Sequence, residues 1–478
     1  MTLERGHANT SAFTYPEPDG ESLPEWGNYR LTGEKVAINR KTIRTTEVIQ
    51  QLIENIGTYF AHWLPGQAYF SNAYLRQAHR YGFHGIRCQP TFPSFARCST
   101  LPPSPMNDLD LSLPQREAPD SLMLYGFWYR ALPGEQVSRN RLRKAMLLET
   151  PLVIGRDRQG SAFALHDACP HRGMPLSYGR FDGQQVECSY HGWKFDGHTG
   201  QCQRIPSLIS DQKLKVDRIY ARSYPCAEHD DFIWVFIPEP PPPGAGFTKA
   251  AEPPIPVPRV PTFSDKYKLA YLTDDLPCSV DHGIIGLMDP AHGPFVHQAW
   301  WWRSGHSIHE KQKQFEPIPH GFRMSAHRPS SNSAPYKLLR LYAAAESITT
   351  TIDFVLPNLR QETIRAGTYW FSSLTTVTPI TRDHCRIDVV AAWNIFPWVP
   401  LGPQLLKFVF AKFVEQDRQT MEKQSEGLKH NPHLMLIDDA DRPAKWYFGL
   451  KAACLEARRT GGEMKHPLTG PVTLKWRS

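Results

Sequence analysis

The sequence predicts an α+β fold in two unlike halves, an all-β module over 121–237 and a mixed strand-and-helix domain over 261–455. Three observations lead there. Short apolar runs separated by turns fill the first stretch: Phe127-Trp128-Tyr129, Leu152-Val153-Ile154, Phe163-Ala164-Leu165 and the six residues from Phe232 to Ile237. Pro238-Glu239-Pro240-Pro241-Pro242-Pro243, followed by more prolines to Pro258, cannot continue a central strand, so 238–260 reads as a linker. Beyond it, β-branched runs at 348–355 and 386–393 read as strands, whereas 405–428 has helical periodicity. In that helix Leu406, Phe410, Phe413, Val414, Met421 and Leu428 share one face, with Lys412, Glu415, Glu422 and Lys423 opposite. Residues 1–120 read as a partly disordered extension with one amphipathic helix over 46–60, and 456–478 as a C-terminal tail.

Composition narrows the function classes. A chain of 478 residues is long enough for two to four domains. It has no uninterrupted run of eighteen apolar residues and no apolar signal core at its start, so a cytoplasmic location is expected. The formal charge is +7, but 54 basic residues are dispersed among 47 acidic ones, which argues against nucleic acid as a partner. Nine cysteines are an odd number without framework spacing, as expected of reduced thiols.

Two of those cysteines carry chemistry. Cys169-Pro-His171 and Cys188-Ser-Tyr-His191 each place one thiol and one imidazole in a short loop. Zinc would also accept two thiolates and two imidazoles, but zinc modules usually segregate cysteines and histidines into separate knuckles. The alternation here lets each loop address both irons of a Rieske [2Fe–2S] centre, in which cysteines hold one iron and histidines the other. The glycines and apolar residues of His171 to Leu176 and His191 to Asp196 suit a covered cluster.

A second constellation is Asp289-Pro-Ala-His292-Gly-Pro-Phe-Val-His297. Two histidines and one carboxylate are the ligand set of non-heme Fe(II) sites that activate dioxygen. Asp417 is the expected carboxylate, since it falls on the apolar face of the 405–428 helix, where burial is costly without a partner or a metal. A buried Arg or Lys partner is the competing account of Asp417. Asp289 is expected to accept the second ring N–H of a histidine ligand and to bridge toward the cluster. Gly293-Pro294 is expected to interrupt regular helix between the two histidines.

Taken together, and in this order over about 122–450, these motifs resemble the α subunits of the Rieske non-heme iron ring-hydroxylating oxygenases. The wording around Asp289 to His297 is most similar to the branch of pheophorbide a oxygenase and vanillate demethylase. The resemblance implies a helix-grip (START-like) catalytic domain with a curved antiparallel sheet. It also implies a homotrimer, in which His191 of one subunit reaches the iron of the next through Asp289 and His292. The expected activity is O2-dependent hydroxylation, demethylation or ring opening of a small apolar aromatic or polycyclic substrate. Electrons would come from NAD(P)H through a separate ferredoxin and/or flavin reductase, since the chain has no G-x-G-x-x-G loop. The alternative is a Rieske electron-transfer protein whose second domain binds a ligand or partner without oxidising it. Gly286 stands where many members have Asn, and neither the membrane segments nor the Cys-x-x-Cys of plant members occur. Trp300–Trp302 and residues 397–413 are candidate pocket walls.

Overall fold

The computed structural model describes residues 123–240, 252–297, 308–328, 348–395, 402–430 and 432–478. The expected extension 1–120 with its helix, residues 241–251 of the linker, Trp300–Trp302 and residues 396–401 lie outside the described residues.

Residues 123–240 form three small antiparallel sheets joined by turns and short 3-10 segments. One holds Phe127–Pro133, Phe232–Ile237 and Cys226–His229 in that order. A second runs Arg143–Leu147, Thr150–Arg156, Ala162–His166, Ser223–Tyr224, and a third runs Arg180–Phe181, Gln185–Glu187, Lys194–Asp196, Cys202–Arg204. The strand Phe232–Ile237 is apolar at every position because both of its faces are covered. Phe232, Trp234 and Phe236 join a cluster with Tyr271, Trp370 and Leu374 of the second half, while Ile233, Val235 and Ile237 pack into the main core.

A large antiparallel sheet dominates the second half. Its eight strands run Lys268–Leu276, His384–Trp393, Tyr369–Thr381, Leu359–Ala366, Ile348–Val355, Gly321–His327, Glu310–Ile318 and Val472–Arg477. The last strand corrects the expectation of a tail over 456–478. Leu474 and Trp476 are buried while Thr473, Lys475 and Arg477 are exposed, and this period of two completes the sheet edge. The expected domain end at 455 also falls inside a helix, Arg442–Thr460.

Three helices pack against this sheet: Val280–Met288, Gly402–Leu428 and Arg442–Thr460. Their Ile284, Val414, Trp446, Tyr447 and Leu450 share a core with Phe315, Phe322, Phe354, Val377 and Ile387 of the strands. Ser279 caps the first helix by accepting from the His282 amide. Deep in the core, Lys451 donates to both carboxylate oxygens of Asp281 at 2.9 Å, and the Tyr447 hydroxyl donates to the same group. The first helix is thereby tied to the last one. Among the described residues no helix is long and apolar enough to cross a membrane.

The two halves are joined by more than the linker. Arg130 is fully buried, its guanidinium 4.9 Å from the ring centroids of both Phe232 and Trp234, and it donates to the carbonyls of Leu374 and Asp388. Arg386 returns the contact from the large sheet, donating to the carbonyls of Arg130 and Ala131 at 2.7 and 2.8 Å.

Candidate metal centres

Cys169 and Cys188 open two turns of matching construction. The Cys169 amide donates to the Met174 carbonyl and Gly173 donates back to Cys169; Cys188 does the same with Trp193 and Gly192. Gly173 and Gly192 have φ of 71° and 68°, the left-handed region that a side chain would disfavour. The Cys188 turn is a hairpin tip between Gln185–Glu187 and Lys194–Asp196. The Cys169 turn is not, as expected, a hairpin tip, because it links strands of two different sheets. Asp167 holds that crossover by accepting from the Ser177 amide and hydroxyl at 2.7 and 2.6 Å.

The turns bring the four side chains together as two like pairs. Nδ1 of His171 lies 3.1 Å from Nδ1 of His191. The two thiols are buried neighbours, and burial pushes the Cys169 thiol up to about 11 while the amides of His171 and Arg172 pull it down. The imidazole of His191 is held below its usual range by burial first, and by His171 and Arg172 after it. Trp193 stacks flat on His171, centroids 4.7 Å apart and planes within 5°. Two facing ring nitrogens and two adjoining thiols fit a cluster with one iron on each pair.

The second centre joins two chain segments 119 residues apart. After the helix Val280–Met288, Asp289 turns the chain by accepting from the Ala291 amide at 2.6 Å. Gly293-Pro294 then opens the single helical turn Gly293–Val296 rather than interrupting one, since proline is tolerated in a first turn. That turn converges the histidines: Nε2 of His292 and Nε2 of His297 are 3.2 Å apart. Asp417 comes from the long helix Gly402–Leu428, with Oδ1 at 3.3 Å from His297 Nε2 and 3.9 Å from His292 Nε2. All three ligand atoms lie within 4.8 Å of one another.

The outer ring nitrogens are committed elsewhere, which leaves both Nε2 atoms for the centre. Nδ1 of His292 is 2.8 Å from the backbone carbonyl of Asp289, and only 3.8 Å from its carboxylate. The acceptor that orients His292 is therefore the carbonyl rather than the expected carboxylate. Nδ1 of His297 is 3.1 Å from the side-chain oxygen of Gln416, a partner that the sequence reading missed. The Arg or Lys partner of the competing account is absent among the described residues: burial pushes the Asp417 carboxyl up to about 6 and His292 pulls it down. Glu415 and Glu422 instead share Arg418 on the solvent side, as the helix periodicity predicts. A cation between the three ligand atoms fits this donor set, since it would hold Asp417 ionised. Gly286 leaves room for Met421, whose methyl would lie 2.9 Å from a Cβ there.

Comparison with known proteins finds a family match in each half of the chain. Residues 127–222 match the Rieske [2Fe-2S] domain, and residues 286–464 match the vanillate O-demethylase oxygenase C-terminal domain. The chain belongs to the Rieske oxygenases. Chlorophyllide a oxygenase of Chlamydomonas reinhardtii is 28% identical over 306 residues, 62% of this chain and 42% of that protein. Pheophorbide a oxygenase of Arabidopsis thaliana is 27% identical over 290 residues, 58% of this chain and 50% of that protein. This chain thus spans half the length or less of these curated relatives. Dicamba monooxygenase bound to dicamba shares the fold, with a TM-score of 0.53 at 21% identity over 70% of this chain and 98% of that one. The first match covers the residues that carry the Cys/His turns, and the second covers those that carry His292, His297 and Asp417.

Proposed function

We propose that this Rieske oxygenase is the terminal component of a multicomponent system, oxidising a small apolar aromatic or polycyclic molecule with O2 and NAD(P)H-derived electrons. The convergence of His292, His297 and Asp417, in a chain that also brings together a complete Cys/His set, carries this reading. When bound, the cluster supplies single electrons and the Fe(II) supplies the centre at which dioxygen is reduced.

The protein's own residues do the positioning. His292 and His297 offer Nε2 because Asp289 and Gln416 occupy their Nδ1 atoms. Cys169, His171, Cys188 and His191 hold the cluster, with Trp193 covering one imidazole. Asp289 is the bridging residue, its carboxylate one-third exposed beside His292 and so accessible to a second subunit. A homotrimer, a cytoplasmic location and a separate ferredoxin and/or flavin reductase belong to the same reading.

Metal analysis tests the proposal. Purified protein reconstituted with iron and sulfide should hold three irons per chain and give a Rieske paramagnetic signal on reduction. Two irons per chain, with no substrate-dependent oxygen uptake in the presence of a competent reductase, would instead make it an electron carrier.

A further inference from the structure

Outside both metal centres, two buried cysteines meet across the core. Sγ of Cys278 and Sγ of Cys385 are 3.7 Å apart, and both residues are buried. They come from segments 107 residues apart. Cys385 opens onto the helix-covered face from the strand His384–Trp393, where Leu276 is its paired neighbour. Just past Leu276 the chain curls back, with the Cys278 amide donating to the Leu276 carbonyl, and this lays Cys278 over Cys385. The next residue, Ser279, caps the helix that leads to Asp289 and His292.

The helix itself leaves room for the sulfurs. A Cβ at Gly283 would lie 3.0 Å from Sγ of Cys385 and 3.7 Å from Sγ of Cys278. The pair is also chemically asymmetric: the hydrogen bond between the sulfurs holds Cys278 below its usual value, against burial, and holds Cys385 well above its own. Either sulfur can donate to the other, so a thiolate on one is held by the remaining thiol.

We infer that Cys278 and Cys385 are a redox-active dithiol which hydrogen peroxide closes to a disulfide, stapling the start of the helix Val280–Met288 to the large sheet. The Cys278 thiolate attacks one peroxide oxygen, breaking the O–O bond; hydroxide leaves, takes up a proton as water, and Cys278 becomes a sulfenic acid. The Cys385 sulfur then attacks Cys278, an S–S bond forms, and the hydroxyl leaves as water with the Cys385 proton. Two thiols are oxidised and one peroxide is reduced to two waters. Peroxide is small enough to reach a buried pair, whereas bulky disulfides are not.

The test uses the full-length holoprotein, reduced, freed of reductant and titrated with hydrogen peroxide. After acid quench and alkylation, peptide mapping should find Cys278 linked to Cys385, with loss of the link on reduction. Amide hydrogen exchange over 280–288 should slow in the linked form and recover on reduction. In Cys385→Ala the link should vanish and Cys278 should be trapped by dimedone as the sulfenic acid. Recovery of both cysteines as alkylated thiols while other cysteines are oxidised would overturn the inference. So would a Cys278–Cys385 link that leaves exchange over 280–288 unchanged.

Discussion

The side-chain oxygen of Gln416 lies 3.1 Å from Nδ1 of His297, so the residue next to Asp417 orients a histidine of the same centre. One helical turn thus contributes a ligand and an acceptor. Gln416→Leu should weaken iron binding at this site by about 10–100-fold, as loss of an orienting acceptor typically does. Gln416→Glu keeps an acceptor and should retain most of the affinity. Competition with a graded chelator, read as iron per chain at constant cluster absorbance, measures both; wild-type affinity in the leucine variant would remove Gln416 from the centre.

Asp417→Ala should lose the mononuclear iron and keep the cluster, because among the described residues its carboxylate faces His292 and His297. Iron should fall from three toward two per chain, with the reduced Rieske signal unchanged. Glu415→Ala is the matched control on the same turn, since its partners are Arg418 and Gln419 at the surface. Retention of three irons in Asp417→Ala would assign that carboxylate to folding.

Legibility in the sequence followed the range of the interactions. A continuous apolar run marked Phe232–Ile237 and a β-branched run marked Ile348–Val355, because each strand's character is written in its own residues. Asp417 was legible for the same reason, as a carboxylate on the apolar stripe of a long helix. The edge strand Val472–Arg477 carries a period-two alternation, but its pairing with Glu310–Ile318 is set by the chain's return across the sheet. Gln416 and the carbonyl of Asp289 could not be read, because their roles depend on which way two imidazoles turn. The same holds for Cys278 and Cys385, whose meeting is a property of the packed core.

Asp281 and Lys451 form a buried ion pair that ties the helix before the iron histidines to the C-terminal helix. Lys451→Met leaves the Asp281 carboxylate with Tyr447 and no charge partner, and should destabilise the protein by about 3–5 kcal/mol. Asp281→Leu combined with Lys451→Met replaces the pair by apolar groups and should recover much of that loss. Denaturant unfolding of the iron-loaded variants tests the order. Equal stability of the single and double variants would show that the lysine acts through packing alone.

Asp289 gives the sharpest separation between holding a metal and serving it. Its backbone carbonyl, not its carboxylate, is the acceptor closest to His292 Nδ1, and its Oδ1 takes the Ala291 amide. The carbonyl survives in Asp289→Asn, and the amide oxygen can still accept from Ala291, so the turn and both metals should remain. What changes is the charge beside His292 and the remaining carboxylate oxygen, 3.8 Å from Nδ1, through which a cluster histidine of another subunit would be met. Single-turnover mixing of reduced protein with oxygen and substrate should then show slow or absent cluster oxidation at full iron occupancy. Cluster oxidation at the wild-type rate would falsify the bridging role and leave Asp289 as a turn former only.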